Sequence, residues 1–159
     1  MLDDSMKGYV RKHKLRLLNK LGDGKDGIVL SSDRDTAVKF LYDIDNYNRE
    51  LRAYRILEEA GVDEVNGHHV PRLIDHDDEL RAIEMTIVAP PFLLDFVAAY
   101  TEKEVERFAF DPDVMAERES HWVEVFGARW PDVLAIREHF FSRTALNLLD
   151  LSLNNVRFE

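Results

Sequence analysis

The run Gly22-Asp23-Gly24-Lys25-Asp26-Gly27-Ile28-Val29 has the spacing GxGxxGxV, and it constrains this chain more than any other feature. It falls between two segments that read as strands, Leu15 to Leu21 and Ile28 to Ser31. Glycine lacks a Cβ, so a backbone made of it can approach a phosphate closely and can take up positive φ. A dinucleotide fold would need the same run between a strand and a helix. Placed between strands, it describes a hairpin, either one that covers phosphates or one that is glycine-rich and binds nothing.

The next segments extend that hairpin into a sheet. Thr36 to Leu41, TAVKFL, reads as a third strand after the turn-like residues Ser31 to Asp35. Ile44 to Ala60 reads as a helix, with Tyr47, Glu50, Tyr54 and Leu57 on one face, Asp45 as N-cap and Gly61 as its end. Val70 to Asp75 and Leu80 to Val88 read as strands joined by a hairpin at His76 to Glu79. Ala89-Pro90-Pro91 breaks the pattern, because two prolines remove backbone donors and fix local angles. The lobe boundary is placed there, giving residues 1–89 and 90–159. The second part reads mainly as helix: a short apolar stretch at Phe92 to Tyr100, then Val114 to Phe126 and Pro131 to Ser142. From Ala145 to Glu159 the helical period is lost, and a short strand, a tight loop and another short strand are expected. The expected fold class is α+β, a five-stranded antiparallel sheet with one long helix followed by a small, mainly helical lobe.

Two charged residues stand out against this frame. Lys39 lies on the third strand, 12 residues after Gly27, where a lysine can offer a point charge to phosphates. A strand lysine is otherwise simply solvated. Glu50 lies on the apolar face of the helix, where a carboxylate is costly to bury unpaired. Pairing Lys39 with Glu50 would satisfy both; at the rim of that face, Glu50 could instead reach water. Asp43, Asp45, Glu58 and Glu59 are nearby acids that read as solvent-facing.

Glycine loop, Ala37-Val38-Lys39 and helix glutamate, in that order and on those elements, resemble the protein-kinase-like superfamily. The resemblance implies ATP bound with Mg2+ between the lobes. It implies that Gly22, Gly24, Gly27, Val29, Lys39 and Glu50 line the nucleotide site. In Ala82-Ile83-Glu84-Met85-Thr86 it puts Ile83 at the gatekeeper position, with the backbone of Glu84 and Met85 against the adenine edge. Asp150-Leu151-Ser152-Leu153-Asn154-Asn155 has the family's catalytic-loop spacing. By resemblance Asp150 accepts or orients the proton of the attacking hydroxyl, and Asn155 holds magnesium. A polar turn closing a helical lobe would look the same.

The departures from the family are specific. Its His-Arg pair before the aspartate is Leu148-Leu149 here, which speaks against control by a phosphorylated activation loop, and its loop lysine is Ser152. The family's Asp-Phe-Gly strand, which supplies the main metal ligand, follows the catalytic loop; here the sequence reaches Glu159 without it. Asp95-Phe96-Val97 matches it superficially but precedes the loop and lacks the glycine. The chain therefore reads as a kinase-like N-lobe with a truncated C-lobe. Slow turnover or none is expected unless Glu84, Asp95, Glu159 or a second chain supplies the ligand. The implied function is an ATP-dependent phosphotransferase acting on a hydroxyl acceptor, or else a pseudokinase-like module that binds nucleotide or a partner without turnover. A protein partner, or a second copy covering the truncated lobe, is a further expectation.

Composition narrows the remaining classes. A net charge of −10 argues against a nucleic-acid footprint and against docking on anionic lipid. With no cysteine, disulfides, thiolate–zinc sites and thiol nucleophiles are excluded. No secretory leader or membrane-length apolar run is legible, so a cytoplasmic protein is expected. His68, His69 and His76 lie near Asp75, Asp77 and Asp78, where a solvated hairpin is the stronger reading than a metal site. Trp122, Phe126, Trp130, Phe140 and Phe141 read as core of the helical part, or as a surface left uncovered by a missing lobe.

Overall fold

The strand TAVKFL is apolar on both faces apart from Lys39, and such a strand needs cover on both sides. A computed structural model, which describes residues 3–107 and 111–159, shows how that cover is built. The first half contains α1 (Asp4–His13), β1 (Leu17–Asp23), β2 (Gly27–Ser32), β3 (Thr36–Leu41) and α2 (Ile44–Glu59). The two-residue strands β4 (Glu64–Val65) and β5 (His68–His69) follow, then β6 (Leu73–Asp77) and β7 (Ala82–Thr86). Five of these strands form the expected antiparallel sheet, in the order β1-β2-β3-β7-β6. β3 lies at its centre and is buried at every position.

Strand alternation divides β3 between two cores. Ala37 and Leu41, with Ile83 and Met85 of β7, face α2 and its Leu51, Tyr54 and Leu57. Val38 and Phe40, with Ala82, face the other way onto Met6 and Tyr9 of α1. Helix α1 was not expected from the sequence. Its signals are the Asp3 side chain, which caps the Met6 amide at 2.9 Å, and a basic last turn, Arg11-Lys12-His13. The N-cap of α2 is Asp43, which accepts from the amides of Asp45 and Asn46, so the expected cap Asp45 lies inside the first turn. Gly61, at φ 65°, ends α2 as expected. The β6–β7 turn falls at 78–81, two residues later than expected, because the buried Asp77 carboxylate accepts from the Leu80 amide and holds the turn there.

The second half departs from the helical expectation at its start. Phe92 to Tyr100 is not a helix. It forms β8 (Phe92–Leu93) and β9 (Ala99–Thr101), followed by α3 (Glu102–Arg107), α4 (Pro112–Phe126), a 3-10 turn at Gly127–Arg129 and α5 (Trp130–Thr144). The expected closing strand, loop and strand are β10 (Leu146–Leu148) and β11 (Val156–Arg157). β8 pairs antiparallel with β11, and β9 pairs antiparallel with β10. These partners lie far along the chain, which is why no local period announced the strands.

The α2-facing core continues without a break into the second half. Phe96, fully buried, stacks on Phe140 of α5 at 5.4 Å and meets Tyr54 of α2 edge-on at 5.2 Å. Trp122, Phe126 and Phe140 are buried, as expected for core aromatics, while Trp130 is partly buried against the same cluster. No helix among the described residues is long and apolar enough to cross a membrane.

Candidate functional site

The glycine run forms a tight hairpin between β1 and β2, closed by the Gly24 amide donating to the Gly27 carbonyl at 3.1 Å. None of its three glycines takes a positive φ, so backbone strain is not the reason for them. A Cβ on Gly27 would lie 2.3 Å from the Phe40 carbonyl oxygen, so packing on β3 requires glycine there. A Cβ on Gly24 would meet nothing within 4 Å, and on Gly22 would meet only Val29, at 3.9 Å. Lys25 and Asp26 form the tip. Asp26 is fixed twice: its carbonyl accepts from the Tyr42 amide at 3.1 Å and its carboxylate from Asn46 Nδ2 at 3.2 Å. Val29 pairs in register with Lys39, so both side chains face the α2 side of the sheet.

The Lys39 head is buried, and its Nζ lies 2.7 Å from Glu50 Oε2 and 3.3 Å from Asp95 Oδ1. Burial pulls the ammonium pKa down, but Glu50 and Asp95 outweigh it and leave Lys39 above its ordinary value. Burial pushes the Glu50 carboxyl up to about 7, with Asp95 adding, while Lys39 and the Phe96 backbone hold it down. The shift on Lys39 favours a charged pair and that on Glu50 favours a neutral carboxyl. An ammonium 2.7 Å away makes the ion pair the form that satisfies both heads.

Asp95 lies two residues past the end of β8, in the left-handed region at φ 69°. Its Oδ1 accepts from the Val97 amide at 3.2 Å, and Phe96 beside it is anchored in the core. The pairing of β8 with β11 sets Asp95 next to the segment Asp150–Asn155. The Leu94 amide donates to the Asn155 carbonyl at 2.8 Å. Carboxylate oxygens of Asp26, Asp95 and Asp150 lie within 4.8 Å of one another. Half-burial raises the Asp150 pKa, Asp95 and Asp26 add to the rise, and Lys25 and Arg118 oppose it. Asp95 thus precedes Asp150 by 55 residues, yet lies beside it in space, just past a strand antiparallel to the one after Asn155.

The expected hinge assignment does not fit the ladder. Glu84 and Met85 are paired within the sheet on both sides, to Val38 and Ala37 on one and to Asp75 and Leu73 on the other. Their backbones are therefore enclosed by neighbouring strands. The Glu84 side chain points to the α1 face, where its carboxylate accepts from Tyr9 at 3.0 Å and from Thr36 at 2.5 Å. Ile83 pairs with Lys39 and shares its face. The first backbone past the ladder is at residues 87–89.

Of the three acids named from sequence as substitute ligands, Asp95 is at the cluster. Glu84 is on the far face, and Glu159 is exposed beside Arg129 at 3.9 Å. Sequence reasoning passed over Asp26, a variable position of the glycine run. The histidines gather no metal-ligating group among the described residues. His68 is buried against the Phe158 ring, and His76 bonds Tyr47, Asp78 and Arg55.

No protein-family model matches the chain, and no curated protein does. Among solved structures the chain is similar to the ternary complex of streptomycin, ATP and APH(2")-IIa. Identity is 22% and the TM-score 0.44, over 56% of this chain. The match spans 29% of that chain's length.

Proposed function

We propose that this protein binds ATP with magnesium beneath the glycine hairpin and transfers the γ-phosphate to a hydroxyl acceptor. The observation that carries this reading is the convergence of Lys39, Asp95 and Asp150 from three separate segments onto one site. The aspartate sought after the catalytic loop is, on this reading, Asp95, supplied from before it.

Each residue has a chemical task here. Lys39 offers a fixed positive charge to the phosphates, and Glu50 holds it in place. Gly24 leaves open space above the hairpin for phosphate oxygens. The adenine edge meets the free backbone at residues 87–89, in place of Glu84 and Met85. Asp150 takes the proton of the attacking hydroxyl, and a carboxylate whose pKa is raised is the better base for it. A donor set of carboxylate oxygens suits a hard divalent cation such as Mg2+. Asp95 would hold it, with Asp26 and Asn155 as the neighbouring oxygen donors. Bound there, the ion supplies Lewis-acid neutralisation of the phosphate charge.

ATP hydrolysis and phosphoryl transfer by the purified protein, beside Asp150→Asn, test the reading. Turnover that Asp150→Asn abolishes supports it. Turnover that survives that change refutes the catalytic-loop assignment. ATP binding with no turnover leaves a nucleotide-binding module and defeats the enzyme.

A further inference from the structure

The segment entering Asp150 is held by two arginines from different helices. Arg137 of α5 donates through Nε to the Leu148 carbonyl at 3.1 Å. Arg118 of α4 donates through Nη1 to the Leu149 carbonyl at 2.9 Å. The Leu149 carbonyl belongs to the peptide that joins Leu149 to Asp150, so Arg118 grips the plane from which Asp150 departs. On the other side, the Leu149 amide donates to the Ala98 carbonyl at 3.0 Å, three residues past Asp95. Arg137 also braces α4: its guanidinium lies over the Trp122 ring at 5.1 Å, and Trp122 is one turn beyond Arg118 on that helix.

The arrangement answers a gap in the sequence. The residue immediately before Asp150 is the buried Leu149. A leucine cannot donate to the backbone of its own loop or place a cation beside the aspartate. Arg118 does both from outside the loop. We propose that Arg118 is a positioning residue for Asp150, fixing the Leu149–Asp150 peptide from helix α4, with Arg137 securing the carbonyl before it.

The inference rests on reading Asp150 as the base, and its test separates the two. Hydrogen exchange at the Leu149 and Asp150 amides follows the gripped segment without any need for turnover, and Arg118→Gln is expected to speed it. In ATP turnover, Arg118→Gln should lower kcat roughly ten- to a hundredfold, the scale of a misplacement of about 1 Å. KM for ATP should hold. If the wild-type protein shows no turnover, the enzyme reading fails, while hydrogen exchange still decides the positioning. Exchange unchanged in Arg118→Gln overturns the inference, as does an unchanged kcat in that variant. Should Arg118→Gln fail to fold, Arg118→Lys decides by kinetics, because it keeps the charge but not the planar donor fork: partial loss of kcat at constant KM supports the inference, and full activity overturns it.

Discussion

Replacing Lys39 by methionine removes an ammonium whose side chain is 9% exposed and leaves Glu50, 1% exposed, facing Asp95. Breaking a buried pair by deleting one partner costs about 3–5 kcal/mol, because the remaining charge is desolvated and unpaired. Against a total stability of about 5–15 kcal/mol this is a large fraction. For a chain of this size it lowers the Tm by roughly 6–20 °C. The pH dependence follows from the Glu50 carboxyl. Its pKa is raised from the ordinary 4.5 to about 7 in the folded protein. The folded state therefore binds that proton more tightly than the unfolded chain, so stability falls as pH rises through this window. Without Lys39 the pKa climbs further and the effect widens. Lys39→Met is expected to cost most near about pH 8 and distinctly less near about pH 5, where the Glu50 left without its ammonium is protonated. Lys39→Met combined with Glu50→Gln should cost less than the sum of the single changes. Urea or thermal melts of the four proteins at both pH values measure this. A cost under about 1 kcal/mol, the size of an exposed ion pair, would refute the buried pair, as would an equal cost at both pH values.

The glycines separate structure from binding. Gly27→Ala should lower stability by about 1–3 kcal/mol, because its Cβ would meet the Phe40 carbonyl at 2.3 Å. Gly24→Val should leave the Tm nearly unchanged but weaken ATP binding, and a loss of stability equal to that of Gly27→Ala would remove the distinction. A second pH effect comes from Asp77. Burial raises its pKa, but hydrogen bonds from Lys12, His13 and the Leu80 amide outweigh that and hold it at about 2. The folded pKa is depressed, so its contribution is complete above the ordinary value near 3.8 and is lost as pH falls toward about 2. Asp77→Asn should therefore lower stability by about 2 kcal/mol at neutral pH and by progressively less in acid, which melts across that range would detect.

How far the sequence disclosed the site depends on whether the contacts are local. The sheet and α2 were legible because alternation, capping and the apolar face of Tyr47, Tyr54 and Leu57 act within a few residues. Glu50 was legible as an unpaired charge on that face, and its pairing with Lys39 is seen at 2.7 Å. Asp95 was visible as an incomplete match in the wrong place and as one of three acids that could replace the missing ligand, with nothing local to choose among them. Its position depends on β8 meeting β11, two-residue strands far apart in the chain that carry no period. The same holds for β9 and β10, and it is why Phe92 to Tyr100 was misread as helix. Helix α1 was hidden by its polarity, since only Met6 and Tyr9 are buried along it. Glu84 was misread because a buried strand glutamate was taken for a hinge residue, when the carboxylate serves the α1 face with Tyr9 and Thr36.

The central claim is that Asp95, out of sequence order, supplies the metal ligand of a nucleotide site. Calorimetry of ATP binding tests it, on the wild-type protein and on Asp95→Asn, each with Mg2+ and with the ion chelated. ATP should bind the wild-type protein, more tightly with Mg2+ than without, and Asp95→Asn should lose most of that Mg2+ enhancement. No ATP binding at millimolar concentration, or an enhancement by Mg2+ that Asp95→Asn leaves intact, would contradict it.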